Sequence, residues 1–108
     1  IASKYTLEIN FQIHKGYPSL CNDDSLTNKA VIYAKEYLGD NNVIDLSLRM
    51  TAEDFAYYCY EVPSCFYRLG TGNIDNGIVN GLHTSRFDID ESALKIGMGL
   101  MAYLAIKN

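Results

Sequence analysis

The order in which apolar spacing changes along this chain of 108 residues constrains its fold more than any other feature. Residues 4–14 alternate between apolar and polar side chains, which predicts a strand with one buried and one wet face. Apolar residues then recur at helical spacing, which predicts helices at about 25–38, at about 51–60 and from about 90 onward. Two more short strands are predicted at 43–48 and 65–69. The resulting order, strand, helix, strand, helix, strand, long loop, helix, is typical of an α/β layered domain.

Capping residues set the boundaries of the predicted helices. Residues 22–25, Asn-Asp-Asp-Ser, offer N-cap side chains to the first helix, and Gly39 stands where a C′ glycine belongs. Thr51 is predicted as the N-cap of the second helix, which we expect to stop before Pro63. Asp90 is predicted as the N-cap of the last helix.

The last predicted helix contains two glycines, Gly97 and Gly99. Each costs about 1 kcal/mol of helix stability relative to alanine. We therefore expect them to allow the close approach of a sheet or another helix.

Composition excludes several classes of partner. The net charge is −4 and Lys and Arg do not cluster, so nucleic acid is not an expected partner. The longest nearly apolar stretch, 96–106, is shorter than the roughly 20 residues that a membrane helix needs, so no membrane partner is expected. The three cysteines form no CxxC pair, which argues against a disulfide framework and favours a reducing, cytoplasmic location.

Two segments carry candidate catalytic or metal-binding side chains. Glu53 and Asp54 are adjacent carboxylates in the first turn of the second predicted helix, where one can cap the helix while the other points into a cleft. His83 lies in an aperiodic loop, 70–89, beside hydroxyls, an arginine and an aspartate, and a neutral imidazole is a common metal ligand. An ordinary helix start and a surface-loop histidine remain the simpler interpretations of these two features.

Two weaker candidates complete the set. Gly70, Thr71, Gly72 and Asn73 follow a predicted strand, where glycine lets the backbone approach a ligand closely or simply forms a turn. His14 lies on the polar face of the first predicted strand and is interpreted as a surface residue. Neither Cys59 nor Cys65 lies in an electropositive setting that would favour a cysteine nucleophile.

Five segments occur in an order and spacing that together are specific. They are Tyr17-Pro18 with Asn22-Asp23, Ala52-Glu53-Asp54-Phe55, Val62-Pro63, Phe66-Tyr67-Arg68-Leu69-Gly70 and Leu82-His83-Thr84-Ser85-Arg86-Phe87-Asp88. From about residue 5 to the end, the chain resembles the metal-dependent amidohydrolases of the aminoacylase/carboxypeptidase-G-like family. That family includes hippurate hydrolase, indole-acetyl-amino acid hydrolases and N-acyl-amino acid deacetylases. Ala52 departs mildly from it, since Gly or Ser often stands there.

The resemblance implies a fold and a domain organisation. Residues 17–108 would be the C-terminal part of a layered α/β catalytic domain, and residues 1–16 the last strand of a lid or dimerisation domain. The full enzyme would be a homodimer.

The resemblance also implies roles for individual residues. His83 would bind one of two divalent metal ions, which could be zinc, manganese, cobalt or nickel. Glu53 would line the site, and Gly70 to Asn73 would form part of a substrate-facing rim. A further hypothesis, based on sequence proximity, is that Asp88 orients the loop that carries His83.

The activity that the resemblance implies is hydrolysis of amide bonds in N-acyl amino acids or small peptides. The metal ions would activate water and polarise the carbonyl group, and a glutamate would transfer the proton. That glutamate and the family's other metal ligands are not among these 108 residues. We therefore expect the isolated chain to be inactive, to bind no metal tightly and to expose apolar surface that favours self-association.

Two alternatives stay open. The chain could be a non-catalytic α/β binding or structural domain that has lost the chemistry. It could also be an unrelated α/β domain that acts as a partner module.

Overall fold

The structure is a computed structural model that describes residues 2–6 and 8–108. Its three α-helices are α1, Asp24–Leu38, α2, Tyr58–Glu61, and α3, Ser92–Lys107. Short 3-10 helices span Ala2–Tyr5, Asp40–Asn42 and Asp54–Tyr57, the last leading directly into α2. In the described part of the chain, β-pairing is confined to an isolated antiparallel bridge between Asn73 and Ile78.

Helix α1 begins and ends as its capping residues predict. The Asp23 carboxylate accepts a hydrogen bond from the Leu26 N–H at 2.8 Å, which satisfies one of the free donors at the helix start. At the other end Gly39 has a φ of 88°, and its N–H donates to the Lys35 carbonyl at 2.8 Å. The helix predicted at 25–38 is therefore confirmed to within one residue.

The N-cap of the second helical segment, residues 54–61, lies two residues later than predicted. Glu53, with an extended φ of −150°, is the residue before the 3-10 turn, and its carboxylate accepts from the Phe55 N–H at 3.4 Å. The prediction of Thr51 as N-cap is therefore wrong, because Glu53 supplies the oxygen nearest to the free N–H groups. The segment ends at Glu61, before Pro63, as predicted.

Helix α3 packs against α1, and its two glycines lie at close contacts. A Cβ atom at Gly99 would overlap the hydroxyl of Tyr37 on α1, whose ring lies 5.2 Å from the Tyr103 ring between centroids. A Cβ atom at Gly97 would lie 2.7 Å from Leu69 Cδ2. The predicted close approach is confirmed on both sides, by a helix and by the segment predicted as the third strand.

Residues 22 and 23, just before α1, form hydrogen bonds with the segment that follows α2, at residues 64 and 66. Asn22 Oδ1 accepts from the Phe66 N–H at 2.8 Å, and Asn22 Nδ2 donates to the Phe66 carbonyl at 2.9 Å. The Asp23 N–H donates to the Ser64 carbonyl at 2.9 Å. One side-chain amide thus pairs with both backbone groups of Phe66, as a neighbouring strand would.

The predicted strands form no ladder among the described residues. The predicted first strand instead starts in the 3-10 helix Ala2–Tyr5, and Leu7 on its apolar face, like Ile1, lies outside the described residues. Its other apolar side chains, Tyr5, Ile9, Phe11 and Ile13, are exposed. In the second predicted strand Ile44, Leu46 and Leu48 are exposed and Val43 is half-buried. A strand needs the N–H and C=O groups of a neighbour, and none pairs with these segments in the described part. The layered α/β class therefore stays a prediction.

The described chain is extended in shape. Its radius of gyration is 19.8 Å, whereas a compact domain of this length has about 13 Å. The buried apolar residues of the described part are Ala56, Ala93 and Leu100. None of the described helices is long and apolar enough to cross a membrane.

Candidate functional site

His83 lies on an exposed turn in the loop before α3. Its φ of 64° is in the left-handed region, which is uncommon for a residue other than glycine. The turn is held locally, because the Thr84 hydroxyl donates to the Gly81 carbonyl at 2.9 Å and the Phe87 N–H donates to the Thr84 carbonyl at 3.1 Å. The imidazole is therefore presented to solvent by a defined backbone conformation.

Asp88, hypothesised to orient this loop, accepts a hydrogen bond from the Ile89 N–H at 2.8 Å. This contact stabilises the backbone next to Asp90 and does not involve His83. The proposed effect of Asp88 on metal binding stays a prediction.

Residues 70–73, the predicted rim, lead into a tight turn. The Asn73 N–H donates to the Ile78 carbonyl at 2.9 Å, and the Ile78 N–H donates to the Asn73 carbonyl at 2.8 Å. Gly72 faces the Ile78 carbonyl oxygen, which lies 3.4 Å from where a Cβ atom on Gly72 would stand. Gly70 has open space at that position. The glycines thus allow both a tight turn and an open approach from outside.

The end of this loop is joined to its beginning at Asp90. Asn73 Nδ2 donates to Asp90 Oδ2, and the Asp90 N–H donates to the Thr71 carbonyl at 2.8 Å. Asp90 Oδ1 also accepts from the Ser92 N–H at 2.9 Å, at the first residue of α3. Glu91 occupies the N-cap position and makes no side-chain cap hydrogen bond, so the predicted cap is one residue early, although the Asp90 carboxylate still satisfies a free N–H of the first turn. The hydrogen bond from Asn73, followed by those from Ser92, lowers the pKa of the Asp90 carboxyl.

Glu53 is partly buried at the start of the 3-10 turn, where its carboxylate is engaged with the Phe55 N–H. The Phe55 ring packs 5.4 Å from the Phe66 ring, measured between centroids. Glu53 is thereby fixed beside the segment that continues into the rim. This placement is compatible with a site-lining residue, and its role stays a prediction.

The described residues do not complete a metal site. No group of three or more His, Cys, Asp or Glu side chains comes together among them. His83 fits as a single ligand, because its ring is exposed and nitrogen donors suit the divalent transition metals. A stable two-metal site needs several more ligands than this chain brings together.

A groove of about 700 Å³ lies between α1, α3 and the second and third predicted strands, and neither His83 nor Glu53 lines it. Its walls include Val31 and Leu38 of α1, Leu104 of α3, and segments 42–46 and 65–70. The groove marks where these extended segments lack a neighbour.

Sequence reasoning missed the link between Asn73 and Asp90. Each residue has a local explanation, Asn73 as part of a turn and Asp90 as a helix cap. They are 17 positions apart, so local spacing carries no signal that their side chains meet.

Comparison with known proteins identifies the family. A sequence model of a protein family, described as peptidase family M20/M25/M40, matches residues 4–107. An IAA-amino acid hydrolase of Arabidopsis thaliana is 35% identical over 89 residues, covering 82% of this chain and 19% of that protein. The N-acetyl-L-cysteine deacetylase of Bacillus subtilis is 34% identical over 95 residues, covering 87% of this chain and 21% of that protein.

Thermostable carboxypeptidase 1 of Saccharolobus solfataricus is similar as well, with 30% identity over 102 residues that cover 94% of this chain and 25% of that protein. No solved structure matches. The chain spans between about a fifth and a quarter of the length of these relatives. Because the family model covers nearly every residue, the chain belongs to peptidase family M20/M25/M40.

Proposed function

We propose that this chain is the C-terminal part of a metal-dependent hydrolase that cleaves amide bonds of N-acyl amino acids or small peptides. The observation that carries the proposal is the exposed, left-handed turn of His83, in a chain whose relatives are named IAA-amino acid hydrolase, N-acetyl-L-cysteine deacetylase and carboxypeptidase. We propose further that the chain alone is inactive and binds metal poorly, since a two-metal site needs several ligands and His83 supplies one.

Three parts of the chain have proposed roles. His83 contributes one metal ligand, and the bound metal supplies Lewis-acid activation of water and of the scissile carbonyl. Glu53 lines the site from the start of its 3-10 turn, where the Phe55 N–H fixes its carboxylate. Gly70 to Asn73 form a substrate-facing rim, with Gly70 leaving room for a ligand.

The fold and assembly of the parent are part of the same proposal. Segments 43–48 and 65–69 become strands of a layered α/β catalytic domain when the rest of the polypeptide lies beside them. Residues 1–16 form the last strand of a lid or dimerisation domain, and the parent is a cytoplasmic homodimer. The unpaired extended segments and the groove between them support this arrangement.

The decisive experiment uses the full-length parent polypeptide. We would assay a panel of N-acyl amino acids and dipeptides with added Zn²⁺ or Mn²⁺, and compare wild type with His83→Ala. His14→Ala is the matched control, because it removes the chain's other histidine, also exposed, from the opposite end of the sequence. We expect chelator-sensitive hydrolysis that falls at least a hundredfold in His83→Ala and is retained in His14→Ala.

Other results would refute parts of the proposal. Equal activity in wild type and His83→Ala would remove His83 from the metal site. An absence of hydrolysis on every substrate by a folded, metal-supplemented parent would favour the non-catalytic alternative, in which the fold is kept and the chemistry is lost.

A further inference from the structure

We propose that Asn73 and Asp90 form a latch that closes loop 74–89 and holds His83 in the orientation needed for metal binding. The inference rests on the proposed function, because it concerns the metal-ligand role of His83. It makes Asn73 a positioning residue in addition to a member of the rim.

Asn73 uses both ends of its side-chain amide inside the protein. Nδ2 donates to the carboxylate of Asp90, and Oδ1 accepts from the Asn76 N–H at 3.2 Å. Its backbone is paired with Ile78 in both directions. The amide therefore fixes the turn at the beginning of the loop and joins it to the end of the loop.

Asp90 connects this turn to the helical part of the molecule. One carboxylate oxygen accepts from Asn73 and the other accepts from the Ser92 N–H at the start of α3. Helix α3 in turn packs on α1. A hydrogen bond from an amide to an ionised carboxylate is stronger than one between neutral groups, which suits a contact that joins two elements.

His83 lies within the closed loop, after the Asn73–Ile78 bridge and before Asp90. Its left-handed backbone conformation is energetically unfavourable for a residue other than glycine. Such a conformation persists only where the surrounding structure constrains it. Fixing both ends of the loop reduces the number of conformations available to it, and so favours the single conformation that presents the imidazole.

The test exchanges the two latch residues in the full-length parent polypeptide. Asn73→Asp keeps an acceptor for the Asn76 N–H but places a second carboxylate against Asp90. The double variant Asn73→Asp with Asp90→Asn reverses the hydrogen bond, since the amide at position 90 then donates to the carboxylate at position 73. Asn76→Asp is the matched control, because it makes the same charge change in the same turn while the network uses only the backbone N–H of that residue.

The first readout is Mn²⁺ affinity of the metal-free parent, measured by isothermal titration calorimetry without substrate. Residues that orient a metal ligand typically contribute ten- to a hundredfold in affinity. We expect Asn73→Asp to weaken binding at least tenfold, the double variant to restore it to within about threefold of wild type, and Asn76→Asp to stay within that range.

The second readout is amide hydrogen exchange of residues 79–89 in the metal-free parent. We expect faster exchange in Asn73→Asp and wild-type exchange in the double variant. The backbone hydrogen bond from Asp90 to Thr71 remains available in all variants, so exchange in α3 should change little.

The outcomes separate this inference from the proposed function. If His83→Ala weakens Mn²⁺ binding but Asn73→Asp behaves like Asn76→Asp, the latch is refuted and the proposed function stands. Failure of the double variant to restore affinity or exchange likewise refutes the latch. If His83→Ala leaves Mn²⁺ affinity unchanged, the metal-ligand role and the latch that depends on it are both refuted.

Discussion

The side-chain amides of Asn22 and Asn73 each make two hydrogen bonds within the protein. Asn22 pairs with both the N–H and the carbonyl of Phe66, and Asn73 joins Asn76 to Asp90. A side-chain amide carries donors and an acceptor together, so one residue can satisfy two groups at once. At the scale of single residues, these amides tie together segments that are distant in sequence.

Replacing Asn22 tests the first of these links. Asn22→Ala leaves the N–H and carbonyl of Phe66 without their partner in a partly buried setting. An unpaired buried polar group costs about 1–3 kcal/mol, so we expect the free energy of unfolding to fall by about 2 kcal/mol. Urea unfolding followed by circular dichroism would measure it, with the exposed turn residue Asn41→Ala as a control that changes little. A loss no larger than the control's would show that the Phe66 contacts contribute nothing.

Asp90 provides a prediction about pH. Its folded-state pKa is lowered below the ordinary value of 3.8, chiefly by the hydrogen bond from Asn73. The stabilisation is therefore complete above the unfolded-state pKa and is lost as the pH falls through the lower, folded-state value. Carbon NMR titration of the Asp90 carboxyl should give a pKa below 3.8 in the wild type and a higher one in Asn73→Ala. An identical pKa in the two proteins would show that Asn73 does not engage the ionised carboxylate.

At the scale of elements, the helices follow from local sequence and the strands do not. Helix α1 has its own N-cap at Asp23 and its own C-terminal glycine at Gly39, so its bounds are set within about 17 residues. A strand completes its hydrogen bonds only with a neighbour. The alternation of apolar and polar side chains in residues 4–14 predicts which side chains share a face. It carries no information on which part of the protein covers that face.

The contact between α1 and α3 yields a prediction at Gly99. Gly99→Ala gains about 1 kcal/mol in helix propensity but forces the Tyr37 hydroxyl away, and overpacking typically costs 1–3 kcal/mol. Because Tyr37 also stacks on Tyr103, we expect a net loss of about 1 kcal/mol in the free energy of unfolding.

Tyr37→Phe provides the matched background, since it removes the hydroxyl, which is the atom nearest to the new methyl group, and leaves the ring carbon Cζ at 3.0 Å. Thermal unfolding of the two single variants and the double variant would measure the coupling between the positions. We expect Gly99→Ala to cost less in the Tyr37→Phe background than in the wild type, because the closest overlap is gone. The same loss in both backgrounds would mean that this contact does not limit helix packing.

At the scale of the whole molecule, much apolar surface is uncovered. The side chains of Ile44, Leu48 and Met50 are 75%, 94% and 98% exposed, and the described chain is far less compact than a domain of this length. Patches of this kind mark surfaces that another chain or domain covers.

We therefore expect the isolated 108-residue chain to self-associate. Light scattering at increasing concentration should give a rising mass, and a dye that binds exposed apolar surface should fluoresce. Ile44→Lys with Leu48→Lys should reduce both signals, because charge on an unpaired extended segment opposes pairing. A monomer without dye binding at all concentrations would contradict this expectation.

The sequence by itself determined the features that depend on neighbours in the chain. These are the bounds of α1, the approximate start of α3 beside Asp90, the loop that carries His83, and the order of motifs that indicated the family. Thr51 is the exception: Glu53 also offers a side-chain oxygen two residues later, and the structure uses Glu53 as the cap.

Only the tertiary structure decided which distant residues meet. It brought Asn22 to Phe66, Asn73 to Asp90 and Gly99 to Tyr37, at separations of 44, 17 and 62 positions. It also left the predicted strands without ladders in the described residues. The physical reason is the same in each case: capping and helical spacing act between residues a few positions apart, whereas side-chain contacts and strand pairing depend on where the chain returns in space.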